Sequence, residues 1–318
     1  MDWSEIDIRS SKNRYWRTSW ASQQRIIAYL QGGKAQLRDI TLQVTGQCNL
    51  RCKTCNDTSF KAPCLTLEES KKIVDEALPL GLRHLHLTGG EPTSWPHLLK
   101  LICHAKKCGL SISMGSNGYF GQEMAQKLVE SGLSRLNLSY HEMMAPPPAL
   151  TYFRTFPINV FINHVITSNN FRKLPQFIAH LKKRYPFVVD VQLMPPRGKA
   201  HKFTIDEAKE YFTQIADKAF YCAQRACYVN LAQKAQSLLG VNKKQWQQVK
   251  DGVYHKGCNL RCYATLTTMK IGALGYAPCT YLYRDGFALL SLDHSVEEGF
   301  RACRHFAMSK APPHKMCL

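Results

Sequence analysis

Acidic side chains are scarce in this 318-residue chain: 23 Asp and Glu stand against 42 Lys and Arg, a formal net charge of +19. Such an imbalance points to an anionic partner, whether nucleotide, nucleic acid, phosphorylated substrate or membrane surface. Long apolar runs are missing as well. None approaches the ~18 residues that a membrane-spanning helix needs, so no membrane association is expected. The opening stretch, MDWSEIDIRSSKNRYW, has no apolar segment behind a basic start, so no secretory signal is read and a cytoplasmic location is expected. What the chain does have is cysteine, 13 in all, and 45% apolar residues. The apolar content allows a sizeable core and excludes a disordered or collagen-like chain. Many thiols in a chain neither short nor secreted suit metal better than disulfides.

The positive charge is dispersed. Residues 1–38 hold seven basic and three acidic side chains, and residues 172–202 hold eight and one. Dispersed charge reads as a solvated surface more readily than as a nucleic-acid groove, so nucleic acid is possible but not favoured.

Residues 1–38, with Tyr15, Trp16, Trp20 and Tyr29 among Arg and Gln, read as a basic, aromatic N-terminal extension. From Asp39, strand-length apolar runs alternate with amphipathic stretches of helix length. Strands are read at 39–45, 83–89, 110–116, 134–140, 158–167 and 187–194, and helices at 65–81, 95–109, 121–132 and 171–184. Thr66 is the expected N-cap of the first helix with Glu69 at the capping-box position, and Gly109 stops the second. Six such units predict an α/β fold with a parallel sheet, an open or closed barrel over 39–200. A helical connector follows over 201–253. The tail, 254–318, holds five cysteines with several glycines and prolines, and reads as a small metal-stapled subdomain.

Directly after the first strand, CNLRCKTC places Cys48, Cys52 and Cys55 at C-x3-C-x2-C. Three thiolates on one loop select zinc or an iron–sulfur centre. A closed zinc site wants a fourth ligand, whereas three ligands on a four-iron cluster leave one iron open. By spacing alone both stay possible. Cys64 reads as an ordinary loop thiol. After the second strand stands GGEP, Gly89, Gly90, Glu91 and Pro92. Glycines let backbone carbonyls approach a ligand closely, and Glu91 can neutralise an ammonium.

Together these segments resemble the radical S-adenosylmethionine enzymes, whose cysteine motif lies on the loop after the first barrel strand. The resemblance implies a partial (β/α)6 barrel, a 4Fe–4S cluster on Cys48, Cys52 and Cys55, and S-adenosylmethionine on the open iron. It implies that the GGEP segment holds the cofactor's amino group. It also implies cofactor contacts from Ser116 and Asn117 after the third strand, Ser139 after the fourth, Asn163 and Val165 on the fifth, and Met194 and Arg197 at the sixth. His141 stands where an acidic residue is common in the family. The activity implied is reductive cleavage of the cofactor to a 5′-deoxyadenosyl radical that abstracts hydrogen from a small-molecule or peptide substrate. A flavodoxin- or ferredoxin-type electron donor is implied with it.

The segment CYATLTTMKIGALGYAPC, from Cys262 to Cys279, resembles the opening of SPASM and twitch subdomains. That likeness implies a second, auxiliary 4Fe–4S cluster on Cys258, Cys262, Cys279 and Cys317, with Cys303 as the alternative fourth ligand. Two other readings are carried: a radical enzyme that modifies RNA, and a non-enzymatic, zinc-stapled nucleic-acid-binding protein.

Overall fold

Side-chain alternation along short parallel strands decides the architecture. The computed structural model describes residues 34–52, 55, 63–140, 145–194, 207, 210, 268–278, 283 and 286–308. In order they form β1 (Asp39–Thr45), α1 (Leu67–Ala77), β2 (His84–Gly89), α2 (Leu98–Lys107), β3 (Ser111–Ser116), α3 (Gln122–Glu130) and β4 (Arg135–Ser139). A one-turn α4 (Ala149–Tyr152), β5 (Asn159–Val165), α5 (Leu174–Arg184) and β6 (Val188–Met194) follow. The tail supplies β7 (Thr268–Gly272), β8 (Gly275–Ala277) and α6 (Val296–Met308). Strands β1 to β6 agree with the sequence reading to within two residues at each end. Most of the N-terminal extension and of the helical connector lies outside the described residues.

The sheet order is β6-β5-β4-β3-β2-β1-β7-β8, and β1 to β6 are parallel to their neighbours. When consecutive β/α units sit side by side, right-handed crossovers put every connecting helix on one face, and the twisted sheet curls around the other. The result is a partial (β/α)6 barrel. Its helix-facing strand positions are aliphatic and fully buried: Ile40, Leu42, Val44, Leu85, Leu87, Ile112, Leu136, Leu138, Val160 and Ile162. Each contributes about 1.5–3 kcal/mol of burial. On β1 to β4 the other positions are polar: Asp39, Thr41 and Gln43 on β1, His84 and His86 on β2, Ser113 on β3, Arg135 and Asn137 on β4. A parallel sheet buried in apolar surroundings on both faces has no use for this alternation; a barrel with a polar lumen does.

Helix α1 starts as its sequence requires. Thr66 Oγ1 accepts the Glu69 N–H (3.1 Å) and Glu69 Oε2 accepts the Thr66 N–H (2.7 Å), while Leu67, Ile73, Val74 and Ala77 face the core. Thr66→Ala removes the side-chain cap and leaves the backbone Thr66 N–H bond to Glu69 in place. It is expected to cost about 1 kcal/mol, read as a lower urea midpoint at an unchanged slope. Gly109, at φ +75°, closes α2, with Leu110 N–H donating to Ala105 O at 3.1 Å.

The described part of the tail is continuous with the barrel. β7 pairs in parallel with β1, Asp39 opposite Thr268, and β8 returns antiparallel. Helix α6 lies against α1 and β8, and the Val296 N–H donates to Glu76 Oε2 at 2.9 Å. Tyr276, Val296, Phe300 and Cys303 belong to the same buried cluster as β1. No described helix is long and apolar enough to cross a membrane.

Candidate active site

Three loops meet at the carboxyl ends of β1, β2 and β3, and glycine is what lets them touch. A Cβ on Gly89 would sit 2.5 Å from Thr45 O, and one on Gly90 2.2 Å from Gln47 O. Free of both, the β2 loop runs along the start of the cysteine loop: Gly90 N–H donates to Thr45 O (2.9 Å) and Glu91 N–H to Gln47 O (2.7 Å). The two segments read as motifs from the sequence are thus one backbone-to-backbone assembly.

Glu91 joins this assembly to β3. Its side chain is fully buried. Oε1 accepts from Thr93 Oγ1 (2.8 Å), Thr93 N–H (3.2 Å) and Ser116 Oγ (2.9 Å), and Oε2 accepts from Asn117 N–H (2.7 Å). Burial pushes its carboxyl up, and these four donors pull it back by stabilising the carboxylate. The carboxylate also caps the short 3-10 turn Pro92–Ser94.

The cysteines stand at the rim. Cys48 is half-buried, while Cys52 and Cys55 are exposed. Cys48 Sγ accepts from Leu50 N–H (3.4 Å) and from Asn117 Nδ2 (3.8 Å). Asn117 Nδ2 also donates to Asn49 Oδ1 (2.8 Å), and Asn49 Nδ2 donates to Tyr119 O (3.0 Å), pinning the cysteine loop to the end of β3. Cys55 N–H donates to Cys52 O at 3.0 Å, turning the loop back on itself. Partial burial of its sulfur and then the negative charge of Cys48 push the Cys52 thiol up. A soft metal centre would bind thiols crowded in this way as thiolates and relieve their mutual repulsion. Cys64 stands apart, its Sγ 3.0 Å from Thr45 Oγ1.

Farther round the barrel, Ser139 lies opposite Asn163 in the β4–β5 register, Asn163 opposite Gln192, and Val165 opposite Met194. Asn163 Oδ1 is buried with no hydrogen-bond partner among the described residues. Such an orphaned acceptor on the lumen face suits a ligand that brings a donor. Of Met194 only the backbone is described. Arg197, His141, Cys258, Cys262, Cys279 and Cys317 lie outside the described residues, and Cys303 is fully buried in α6.

Sequence reading missed the lumen itself. Lys270 on β7 is buried, its Nζ 5.1 Å from the centre of the Tyr283 ring. The Arg135 guanidinium stacks on Phe161 at 3.8 Å, and its Nε donates to Asn137 Oδ1 at 2.8 Å. Burial pushes the Asp190 carboxyl up to about 6, against the pull of Arg135 and Lys182. The signal was present in DITLQVT, HLHLTG, SISMGS and RLNLS, whose alternate positions are polar within a parallel sheet.

Residues 42–143 match the model of the Radical SAM superfamily. The chain is 34% identical over 108 residues to a probable GTP 3′,8-cyclase of Thermococcus kodakarensis, covering 33% of this chain and 35% of that protein. It is 36% identical over 114 residues to GTP 3′,8-cyclase of Staphylococcus haemolyticus, covering 32% and 34%. The match thus spans about a third of the length of these curated relatives. Among solved structures, Streptococcus suis SuiB bound to S-adenosylmethionine aligns at a TM-score of 0.62 and 14% identity, over 92% of this chain and 70% of that one. The anSMEcpe structure with bound AdoMet and Kp18Cys peptide aligns at 0.60 and 17%, over 87% and 84%. These likenesses show the fold.

Proposed function

We propose, on the premise that residues 42–143 are a domain of the radical SAM superfamily, that this chain is an enzyme that binds a 4Fe–4S cluster and S-adenosylmethionine at the joined ends of β1, β2 and β3. The observation that carries the reading is the junction itself: Cys48, the GGEP turn and Asn117 are bound to one another by backbone contact and by the buried Glu91. Bound together, the two groups would supply a carbon radical able to take hydrogen from a substrate carbon. Cys48, Cys52 and Cys55 are the proposed ligands of the cluster. Gly89, Gly90, Glu91 and Pro92 form the proposed seat of the cofactor's amino group, held in place because Glu91 ties the turn to Ser116 and Asn117. The row of Ser139, Asn163, Val165 and Met194, with Arg197 beyond it, offers further cofactor or substrate contacts.

The substrate is proposed to be anionic, a nucleotide, sugar conjugate or peptide. Lys270 and Arg135 in the lumen support this, as does the chain's net charge of +19. The relatives named for GTP match only about a third of the chain, so their substrate is one candidate within that class. A flavodoxin- or ferredoxin-type donor and a cytoplasmic location belong to the same reading. RNA modification stays the less favoured alternative.

An auxiliary 4Fe–4S cluster is proposed on Cys258, Cys262, Cys279 and Cys317. The complete burial of Cys303 in the apolar core supports Cys258 as the fourth ligand. A protein with Cys48, Cys52 and Cys55 all changed to Ala, reconstituted without oxygen, is expected to keep about four irons per chain and a cluster absorbance. Zinc in place of iron would make the tail structural only. The reading as a whole is tested by metal analysis and electron paramagnetic resonance of the reduced wild-type protein. Iron with equimolar sulfide, and a spectrum that shifts when S-adenosylmethionine is added, are expected. A colourless protein holding zinc would support the nucleic-acid-binding alternative.

A further inference from the structure

On the lumen face, four side chains from three strands form one unbroken hydrogen-bonded chain. His84 Nδ1 lies 3.1 Å from Asp39 Oδ1, His84 Nε2 2.8 Å from Ser113 Oγ, and Ser113 Oγ 2.7 Å from His86 Nδ1. The register explains the convergence. Asp39 is directly opposite His84 across the β1–β2 pair, and Ser113 is directly opposite His86 across β2–β3. The two imidazoles, two residues apart on one strand, point to the same face and reach the same hydroxyl.

We propose that Asp39, His84, Ser113 and His86 are a proton relay, whose inner end, His86 Nε2, accepts a proton from a substrate group in the lumen and whose outer end releases it at the amino-terminal mouth of the barrel. The inference rests on the radical reading above for the reaction it serves, but not for the relay's own properties.

Donor and acceptor counting fixes the resting state. A carboxylate only accepts, so His84 Nδ1 carries a proton toward Asp39. Neutral His84 then has a bare Nε2, which accepts the Ser113 O–H. The Ser113 oxygen in turn accepts from His86 Nδ1–H, and His86 Nε2 is left bare. Gly115, on the neighbouring strand, keeps the ground beside that nitrogen clear: a Cβ there would already lie 3.6 Å from it.

One added proton inverts the chain. A proton arriving at His86 Nε2 sends the Nδ1 proton to Ser113 and the hydroxyl proton to His84 Nε2. The positive charge then resides on His84, beside Asp39. It does not stay on His86, whose imidazole is held down to about 3 by burial and by the charges of His84, Lys270 on β7 and Arg135 on β4. His84 and Asp39 are both partly solvent-exposed, with side chains 30% and 24% accessible, so the proton can leave there. The carboxyl ends that hold the cysteines are at the opposite mouth.

This direction of transfer fits a defined class of substrate: a carbon bearing a hydroxyl or an amine. Loss of a hydrogen atom from such a carbon leaves a radical. If an oxidised iron–sulfur cluster took up the electron of that radical, the adjoining O–H or N–H would lose a proton and C=O or C=N would form. His86 is the proposed acceptor of that proton. Asp39, His84 and Ser113 are positioning residues that carry it away.

The test is nitrogen-15 magnetic resonance of histidine-labelled, reconstituted holoprotein without S-adenosylmethionine. Long-range proton–nitrogen couplings report which ring nitrogen of each histidine carries its proton. At high pH both His84 and His86 are expected as the Nδ1–H tautomer. As pH falls, His84 should become doubly protonated, and His86, still neutral, should change to Nε2–H at the same midpoint. In Ser113→Ala the two events should separate. A His86 that keeps one tautomer across the titration, or that still switches with His84 in Ser113→Ala, would overturn the relay. Because no cofactor is added, a wild-type protein that never cleaves S-adenosylmethionine would refute the radical reading while leaving this result intact.

Discussion

Cys52→Ala is expected to reduce 5′-deoxyadenosine formation to the level seen without protein. Three thiolates are the whole protein ligand set proposed for the cluster. With one removed, a second iron loses its protein ligand and the cluster is not retained in its site-differentiated form. Cys52 suits the test because it is exposed and lies outside the buried cluster of the described residues, so its loss should spare the fold. The variant should show the same urea midpoint as wild type when both are measured without cluster. Cys64→Ser is the matched control. Its sulfur lies against Thr45 Oγ1 at 3.0 Å, a contact that a hydroxyl can replace, and the rate should stay near that of wild type. A Cys52→Ala protein with undiminished activity would remove the cysteine loop from the mechanism.

Gly90→Ala is expected to be the most damaging single methyl at the junction of β1, β2 and β3. The new Cβ would stand 2.2 Å from Gln47 O and 2.6 Å from Gln47 C, atoms of backbone that cannot rotate away. Relief requires the β2 loop to move off the cysteine loop. That breaks the Gly90 and Glu91 N–H bonds to Thr45 O and Gln47 O, and draws Glu91 away from Asn117. Overpacking of this kind costs about 1–3 kcal/mol. The larger effect should be functional, with iron content and cofactor cleavage falling together because the junction is the proposed seat of both. Gly121→Ala is the contrast, since nothing lies within 4 Å of its Cβ position. It should lose only the roughly 0.5–1 kcal/mol by which glycine exceeds alanine at a helix N-cap, with iron content unchanged. Equal behaviour of the two variants would show that loop contact is not what the glycine serves.

The strands and the cysteine loop were legible because their causes are local. DITLQVT alternates, Thr66 and Glu69 are three apart, and C-x3-C-x2-C needs only its own spacing. Glu91 was legible as a motif but not in its geometry. Its proposed part, facing an ammonium, follows from its charge; its binding to Ser116 and Asn117, 25 and 26 residues on, follows from β3 ending beside β2. The pairing of β7 with β1 was out of reach for a related reason. Thr268 meets Asp39 across more than two hundred residues, and the five residues of TMKIG carry too little pattern to name a partner strand. The lumen histidines were overlooked because an alternating strand is first taken as half-solvated. Only the curl of the sheet turns them to the lumen, with His86 farther in and His84 at the partly exposed amino-terminal mouth.

The account's central claim is that the β1–β2–β3 junction seats a cluster that cleaves S-adenosylmethionine. The direct measurement is anaerobic incubation of the reconstituted wild-type protein with S-adenosylmethionine and dithionite, followed by chromatography for 5′-deoxyadenosine. The account predicts 5′-deoxyadenosine in multiple turnovers per chain, dependent on both reductant and iron. A fully iron-loaded protein that forms none would contradict it.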